Sequence, residues 1–235
     1  MPHRARPVHD AAHPVQVTLR TTRAVRCLRS ARVFPAVRRA LAVSAHEAFR
    51  IVHFSVQDDH VHLLVEGETR ERLSSGLRGL AIRMARAVNR VLGRRGAVWA
   101  GRYHARALST PREVRHSLVY VLTNRRKHDP GATGLDPCSS ARWLDGWRTP
   151  PAPGPEDPLP VMSPRTWLAL VGWRRHGLVG VEERPQTVTS RPPATYGCTR
   201  PVNGNHFTFA GRGDAVDVAT LWLPNAERRS RPNSS

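Results

Sequence analysis

The chain has 235 residues, 40% of them hydrophobic, and carries a formal net charge of +19. This length is enough for one well-packed domain with extensions, or for two small domains. No apolar run approaches membrane-spanning length, and the basic N-terminus lacks the apolar segment of a secretory signal. We therefore expect neither a membrane protein nor a secreted one.

The positive charge is concentrated in the first half of the chain. Residues 1–128 contain 25 Lys and Arg against 8 Asp and Glu, whereas the remaining residues are nearly balanced. Such an imbalance favours a polyanionic partner, and nucleic acid is the expected one. Lys127 is the only lysine. Arginine forms forked contacts with phosphate, although a GC-rich genome also enriches it, so the preference for arginine does not discriminate between these causes.

Three cysteines, Cys27, Cys138 and Cys198, are widely separated in the sequence. They form neither a CxxC motif nor a disulfide-rich pattern. We therefore expect reduced thiols and a cytoplasmic protein.

Changes in composition divide the chain into six predicted segments. They are a flexible tail at 1–12, a domain at 13–128, a Trp-containing extension at 129–148, a Pro-rich linker at 149–160, a short helical segment at 161–184, and a largely disordered region at 185–235.

The first half of the domain begins with an alternating strand at residues 14–20, followed by a helix at about 32–46. A strand is predicted at 49–57, with Val52, Phe54 and Val56 on one face. Asp58 and Asp59 then form a tight turn into a second strand, so that a hairpin results.

The second half of the domain begins with a long amphipathic helix at about 70–92, followed by a strand at 98–108. Thr110, Pro111 and Glu113 are typical of a helix start with a capping box, and this helix should run to about residue 127. The element order matches the split β-α-β-β-α-β ferredoxin-like pattern. We therefore predict an α+β fold with an antiparallel sheet, an added C-terminal helix carrying Tyr120, and a poorly structured extension after it.

The hairpin's second strand carries His60 and His62. Residues two apart in a strand point to the same face, so both imidazoles should lie together while Val61 and Leu63 face the core. This arrangement is half of a metal site, although a surface histidine pair is the simpler alternative.

Tyr120 and Asn124 lie one helical turn apart on the last predicted helix. An amide oxygen can bind a metal, and a phenol beside it can act as a nucleophile. The alternative is a core tyrosine, because Val119 and Val121 flank it. His116, one turn before, and Asn124, one turn after, argue for a polar face instead.

These residues together resemble a known family, the single-tyrosine HUH transposases, and within it the REP-associated tyrosine transposases. The resemblance is carried by His60-Val61-His62, by Tyr120 with Asn124, and by the runs at 49–65 and 98–104. It covers roughly residues 13–128, and the ordered combination of motifs is fairly specific.

The resemblance implies a function. Relatives cleave single-stranded DNA at hairpin-flanked sites and leave a 5′-phosphotyrosine and a 3′-hydroxyl, without a nucleotide cofactor. On that basis Tyr120 is the nucleophile, and His60, His62 and Asn124 hold a divalent ion, Mg or Mn. The protein would act in the prokaryotic cytoplasm on nucleoid DNA, as a monomer or a homodimer. Many relatives have proline after the asparagine, whereas Arg125 stands here, which leaves the end of the helix open.

Other polar residues are candidates for supporting roles. His104 either assists at the site or closes a pocket, and His116 is a second possible assistant. The residues predicted to contact the DNA backbone are Arg83, Arg86, Arg90, Arg94, Arg125 and Arg126. For the first four, a solvated helix face is an equally good interpretation.

Two further functions compete with the transposase. One is a non-catalytic binder of single-stranded nucleic acid on the same sheet, an inactive relic that keeps the pocket. The other is a metal-free phosphoesterase that uses the two histidines as acid and base. The Tyr-x-x-x-Asn spacing favours the transposase over both.

Overall fold

The computed structural model describes residues 9–129, 131–152 and 160–185. The strands are β1 (Val15–Arg20), β2 (Phe49–Val56), β3 (His60–Gly67) and β4 (His104–Ala107). The helices are α1 (Phe34–Ala42), α2 (Arg70–Leu92), α3 (Pro111–Leu122), α4 (Arg125–His128) and α5 (Trp167–Leu170). Short 3₁₀ turns follow at Ala141–Trp143 and Gly172–His176.

The four strands form one antiparallel sheet in the order β2-β3-β1-β4. In the centre of the sheet, Val17 of β1 lies opposite Leu63 of β3 on one side and Ala105 of β4 on the other. This strand order is that of a ferredoxin-like fold, which confirms the predicted fold class.

Each face of the sheet is covered by its own hydrophobic core. Val61, Leu63 and Val65 of β3 pack into the first core with α1 and α2. Leu64 points the other way, into a second core with α3. The alternation of β3 therefore places His60 and His62 on the α3 side of the sheet.

Residues after the domain complete the second core. Trp147, Leu168 and Trp173 are buried in it beside α3, and Trp143 packs partly against the first core. Trp143 and Trp147, in the Trp-containing extension, therefore both pack onto the domain. Residues 1–8, 153–159 and 186–235 lie outside the described residues, and so do the predictions made for them. Within the described ranges, no helix is both long and apolar enough to cross a membrane.

A β-bulge in β2 changes which side chains share a face. Ile51 pairs with Val65 and His53 with Leu64, so Val52 is the extra residue between two successive pairs. Ile51 and Phe54 pack into the first core, whereas Val52 packs into the second. The prediction that Val52 and Phe54 share a face was therefore wrong, because a bulge shifts the side-chain alternation by one residue.

The predicted strand at 98–108 is shorter than expected. Only His104–Ala107 joins the sheet, and Trp99 makes an isolated bridge with Thr21. The indole Nε1 of Trp99 donates to the carbonyl of Ala81 at 2.9 Å, which also ties this segment to α2.

The capping box predicted at Thr110 is present. The backbone N–H of Glu113 donates to Thr110 Oγ1, and the Glu113 carboxylate accepts from the backbone N–H of Thr110, both at 3.2 Å. The helix ends at Leu122, however, and a separate turn, α4, begins at Arg125. The prediction of one continuous helix to residue 127 was therefore wrong.

We expect Gly76→Ala to destabilise the protein strongly, whereas Gly79→Ala, in the same helix, should not. A Cβ on Gly76 would lie 2.2 Å from Cγ of the fully buried Phe49 ring, so α2 would have to move away from the sheet. Overpacking of this kind costs about 1–3 kcal/mol or more. A Cβ on Gly79 meets only the mobile end of Arg83, at 3.0 Å. There the better helix propensity of alanine, about 1 kcal/mol, should offset the contact.

Urea unfolding of the two variants and the wild type measures the change in the free energy of unfolding that each substitution causes. Equal midpoints for the two variants would contradict the close packing of α2 on Phe49.

Candidate active site

The two histidines of β3 lie close together, and each ring is hydrogen-bonded through Nδ1. Their ring centroids lie 4.6 Å apart. His62 Nδ1 shares a hydrogen bond with Thr18 Oγ1 at 3.0 Å, across the β1–β3 pairing. His60 Nδ1 lies 2.6 Å from Asp59 Oδ1. Partners on Nδ1 fix each ring and leave Nε2 for a ligand, as is usual for metal-binding histidines.

Burial keeps both imidazoles neutral at ordinary pH. Burial lowers the pKa of His62 well below its usual value, and nearby positive charges, His60 and Lys127 among them, lower it further. Burial also lowers the pKa of His60, although the hydrogen bond to Asp59 opposes this. Neutral imidazole is the form that binds a metal ion, so protons do not compete for these two nitrogens near neutral pH.

Tyr120 reaches this pair from α3. Its ring lies edge-on to His62, with centroids 4.9 Å apart. The side chain is half-buried, and burial raises the pKa of the phenol, whereas the Asn124 side chain beside it and the charge of Arg20 lower it. The phenol is therefore protonated at neutral pH and must lose its proton if it is to attack a substrate.

Asn124 occupies the break between α3 and α4. Thr123 is the C-cap of α3: its hydroxyl donates to the carbonyl of Val119 at 2.8 Å, and its backbone N–H bonds the same carbonyl. The N–H of Lys127 then bonds the carbonyl of Asn124, which begins the next turn. Despite the interrupted helix, the side chain of Asn124 is fully buried and lies beside Tyr120.

Three buried polar atoms in this place have no hydrogen-bond partner. They are His62 Nε2, Asn124 Oδ1 and Asn124 Nδ2. Buried polar atoms are almost always satisfied, so this cluster indicates a ligand. Among the described residues, no group of three His, Cys, Asp or Glu could hold a metal ion. A third protein ligand would therefore be of another type, and the amide oxygen of Asn124 fits.

Two residues of α4 were missed in the sequence. His128 lies with its ring centroid 5.6 Å from that of His60, and Lys127 Nζ lies 5.5 Å from the Tyr120 ring centroid. The spacing of 120, 124 and 128 was the available signal, since residues four apart share a helix face. Arg20, at the end of β1 and opposite His60, was also missed.

The predicted assistants are at the margin of the site. His104 lies opposite Thr18 in the sheet, in the same cross-strand row as His62, and is exposed. His116 is exposed on α3, and burial with the charges of Arg112 and Arg115 lowers its pKa. An assisting role for either histidine stays a prediction.

The predicted DNA-contacting arginines are not equivalent. Arg83, Arg86 and Arg90 are exposed on α2, which covers the face of the sheet opposite the histidine pair. Arg94 lies beyond the end of α2, where it bonds Asn89 and the carbonyl of Ala97. For these four residues the DNA-binding role stays a prediction.

The two arginines of α4 differ in their availability. Arg125 is half-exposed and only loosely paired with Asp129, at 3.5 Å. Arg126 is 7% exposed and donates to the carbonyls of Ala132 and Gly134. It also pairs with Glu182 at 2.6 Å. The guanidinium thus holds the extension against the domain, and its assignment to the DNA backbone stays a prediction.

The fold and the site together define an α+β protein with a histidine–tyrosine centre on one face of a ferredoxin-like sheet. Residues 19–122 match the family described as "Transposase IS200 like". Through this segment, which contains His60, His62 and Tyr120, the chain is similar to the IS200-like transposases.

Solved structures with a similar chain trace include two transposases. A REP-associated tyrosine transposase bound to a REP hairpin is 19% identical, with a TM-score of 0.44, over 55% of this chain and 75% of that one. A candidate transposase from Deinococcus radiodurans R1 is 18% identical, with a TM-score of 0.36, over 46% of this chain and 87% of that one. No curated protein matches the chain. The fold assignment rests on the strand order itself.

Proposed function

We propose that this protein is a DNA transposase that cleaves and rejoins single-stranded DNA through a covalent 5′-phosphotyrosine at Tyr120. One observation carries the proposal. The ring of Tyr120 lies edge-on to His62, and His62 Nε2 and both polar atoms of the Asn124 amide are buried nearby without partners. The match of residues 19–122 to the family described as "Transposase IS200 like" supports it.

The reaction exchanges one phosphodiester for another. Tyr120 Oη attacks phosphorus, an O–P bond to the tyrosine forms, and the bond from phosphorus to the 3′ oxygen breaks. The proton of the phenol is transferred, in net terms, to the leaving 3′ oxygen. Because the new bond is also a phosphodiester, its energy is kept, and attack by a 3′-hydroxyl reverses the step and joins strands.

His60, His62 and Asn124 are the residues that would hold a divalent metal ion, Mg or Mn. Such an ion withdraws charge from a phosphoryl oxygen and orients the phosphate. Two imidazoles with an amide oxygen and water are acceptable to Mn and Mg, whereas zinc prefers more nitrogen or sulfur ligands. Thr18 and Asp59 orient the two rings through Nδ1.

The charge of the first half of the chain supports a DNA partner. Residues 1–128 carry most of the net charge of +19, and α3 and α4 present Tyr120 and the exposed Lys127 from this half. A flexible single strand with a hairpin nearby is the expected substrate, because only an unpaired strand can place a single phosphate on a half-buried tyrosine.

The test uses labelled single-stranded oligonucleotides that carry the hairpins flanking this protein's own gene. Each is incubated with the protein and Mn or Mg, or with a chelator, and analysed on a denaturing gel. We expect a covalent protein–DNA adduct that requires the metal ion. Mass spectrometry should place the adduct on the tryptic peptide that follows Arg115 and ends at Arg125.

The other outcomes are equally informative. Specific binding without an adduct would support a non-catalytic binder of single-stranded DNA. Cleavage in the presence of chelator and without an adduct would support the two-histidine phosphoesterase.

A further inference from the structure

Two cations near the site are absent from the proposed reaction: Lys127 lies over the ring of Tyr120, and Arg20 is paired with His60 across the sheet. Lys127 Nζ lies 5.5 Å from the ring centroid. The guanidinium of Arg20 lies close enough to Tyr120, His60 and His62 to influence the pKa of each. Both side chains are exposed, so a ligand that reaches Tyr120 from solvent would meet them.

These cations differ from many arginines elsewhere in the described chain. Arg29, Arg115 and Arg126 are held by carboxylates at 2.6–2.8 Å. Within the described ranges, neither Arg20 nor Lys127 forms an ion pair with a carboxylate. The nearby Asp59 carboxylate is hydrogen-bonded to His60 instead. The entrance to the site therefore carries positive charge that the described chain does not neutralise.

Lysine at position 127 is distinctive in this sequence. It is the only lysine among 37 Lys and Arg residues. An ammonium group is a compact charge on a flexible stem, and its three donors can rotate toward an oxygen that moves. A guanidinium is instead a rigid planar fork. The short helix α4 places this ammonium beside Tyr120 and on the same turn that begins at Asn124.

We propose that Lys127 and Arg20 bind one non-bridging oxygen of the phosphate that Tyr120 attacks, while the other faces the residues proposed to hold the metal ion. This inference rests on the proposed function. A phosphodiester has two non-bridging oxygens, so one is left for these exposed cations when the other faces His60, His62 and Asn124. During attack, negative charge grows on both oxygens. Fixed cations aimed at the second oxygen stabilise that charge without reorganising.

The first experiment depends on DNA binding but not on cleavage. Because Lys127 is the only lysine, acetylation with an N-hydroxysuccinimide ester can be followed at this one ammonium by mass spectrometry. The Tyr120→Phe protein keeps an aromatic ring under Lys127 and holds the hairpin oligonucleotide intact. We expect saturating DNA to slow acetylation of Lys127 about tenfold, while the α-amino group at the start of the chain serves as the internal reference.

Unchanged acetylation with DNA bound would overturn this inference and leave the proposed function in place. Failure of the hairpin oligonucleotides to bind at all would contradict both.

The second experiment tests whether Lys127 acts on the charge of the phosphate or only supports the structure of the protein. Once the cleaved linkage is mapped, an oligonucleotide with a neutral methylphosphonate at that linkage is compared with the native one. Lys127→Met should slow adduct formation about 100-fold on native DNA, and Lys127→Arg should recover part of the rate. On the methylphosphonate, Lys127→Met and wild type should differ by less than about threefold, since the charge that Lys127 contacts is gone.

The matched control is Arg39→Met, which removes an exposed cation from α1 on the opposite side of the sheet. It should leave both substrates unaffected. An equal loss on both substrates for Lys127→Met would indicate a structural role for Lys127 and would overturn the proposal.

Discussion

Tyr120→Phe is expected to remove adduct formation completely, by at least about 10³-fold, while DNA affinity stays within about twofold. The substitution deletes only Oη, the atom that would form the new bond to phosphorus. The ring keeps its edge-on contact with His62 at 4.9 Å, and Lys127 keeps an aromatic face. Gel analysis of adducts and fluorescence anisotropy of DNA binding measure the two quantities separately.

Tyr103→Phe is the matched control for this prediction. Tyr103 is also partly buried, and burial raises the pKa of its phenol, but it packs against the first core, on the other side of the sheet from His62. Its variant should form the adduct at the wild-type rate. An adduct that persists in Tyr120→Phe would exclude Tyr120 as the nucleophile, and an equal loss in both variants would indicate a general loss of structure.

The features that the sequence predicted well are those set by neighbouring residues. Thr110 and Glu113 define a capping box within four residues, and Thr69 with Gly93 delimits α2 by an N-cap and a left-handed C-cap. The period of β3 was enough to place His60 and His62 together on one face. Local rules succeed here because each requires only a few adjacent side chains to be in the expected conformation.

The features that were missed depend on distant parts of the chain. Both faces of β2 are buried, so its hydrophobic pattern does not alternate. The pattern therefore does not reveal the one-residue shift in side-chain direction at the Val52 bulge. The second core requires Leu168 and Trp173 to return to α3, which no local pattern encodes. Arg126 has the sequence context of a DNA contact, and only the folded chain shows that it pairs with Glu182.

The break in the last helix had a more direct consequence for the site. A continuous helix would have placed Tyr120, Asn124 and His128 on one straight face. The break after Leu122 instead places Asn124 in the interior and turns α4 so that Lys127 lies over Tyr120 and His128 lies beside His60. Predicting this required knowing that Thr123 bonds back to Val119.

Asn124→Leu is expected to change stability and activity in opposite directions. Asn124 is fully buried, and neither polar atom of its amide has a hydrogen-bond partner. An unsatisfied buried polar group costs about 1–3 kcal/mol, so an apolar side chain of similar size should stabilise the protein in the presence of chelator. If Asn124 is a metal ligand, the same variant should lose about 100-fold or more in adduct formation.

The metal ion provides a second readout that does not depend on DNA. A ligand that binds only the folded protein stabilises it by about 2.7 kcal/mol at a concentration 100 times its dissociation constant. Differential scanning fluorimetry of the wild type should therefore show a higher Tm with Mn than with chelator. His62→Ala and Asn124→Leu should both lose most of this increase, because each removes one of the atoms left without a partner.

Ser117→Ala distinguishes a ligand site from an ordinary unsatisfied group. Ser117 is also on α3, and its buried Oγ also has no partner, but it is not one of the residues proposed to hold the metal ion. Its variant should be neutral or slightly stabilised, should keep the full Mn-dependent increase in Tm, and should retain activity. If Asn124→Leu instead behaves like Ser117→Ala, Asn124 is not a metal ligand. The unsatisfied Nε2 of His62 would then have to be explained by another partner.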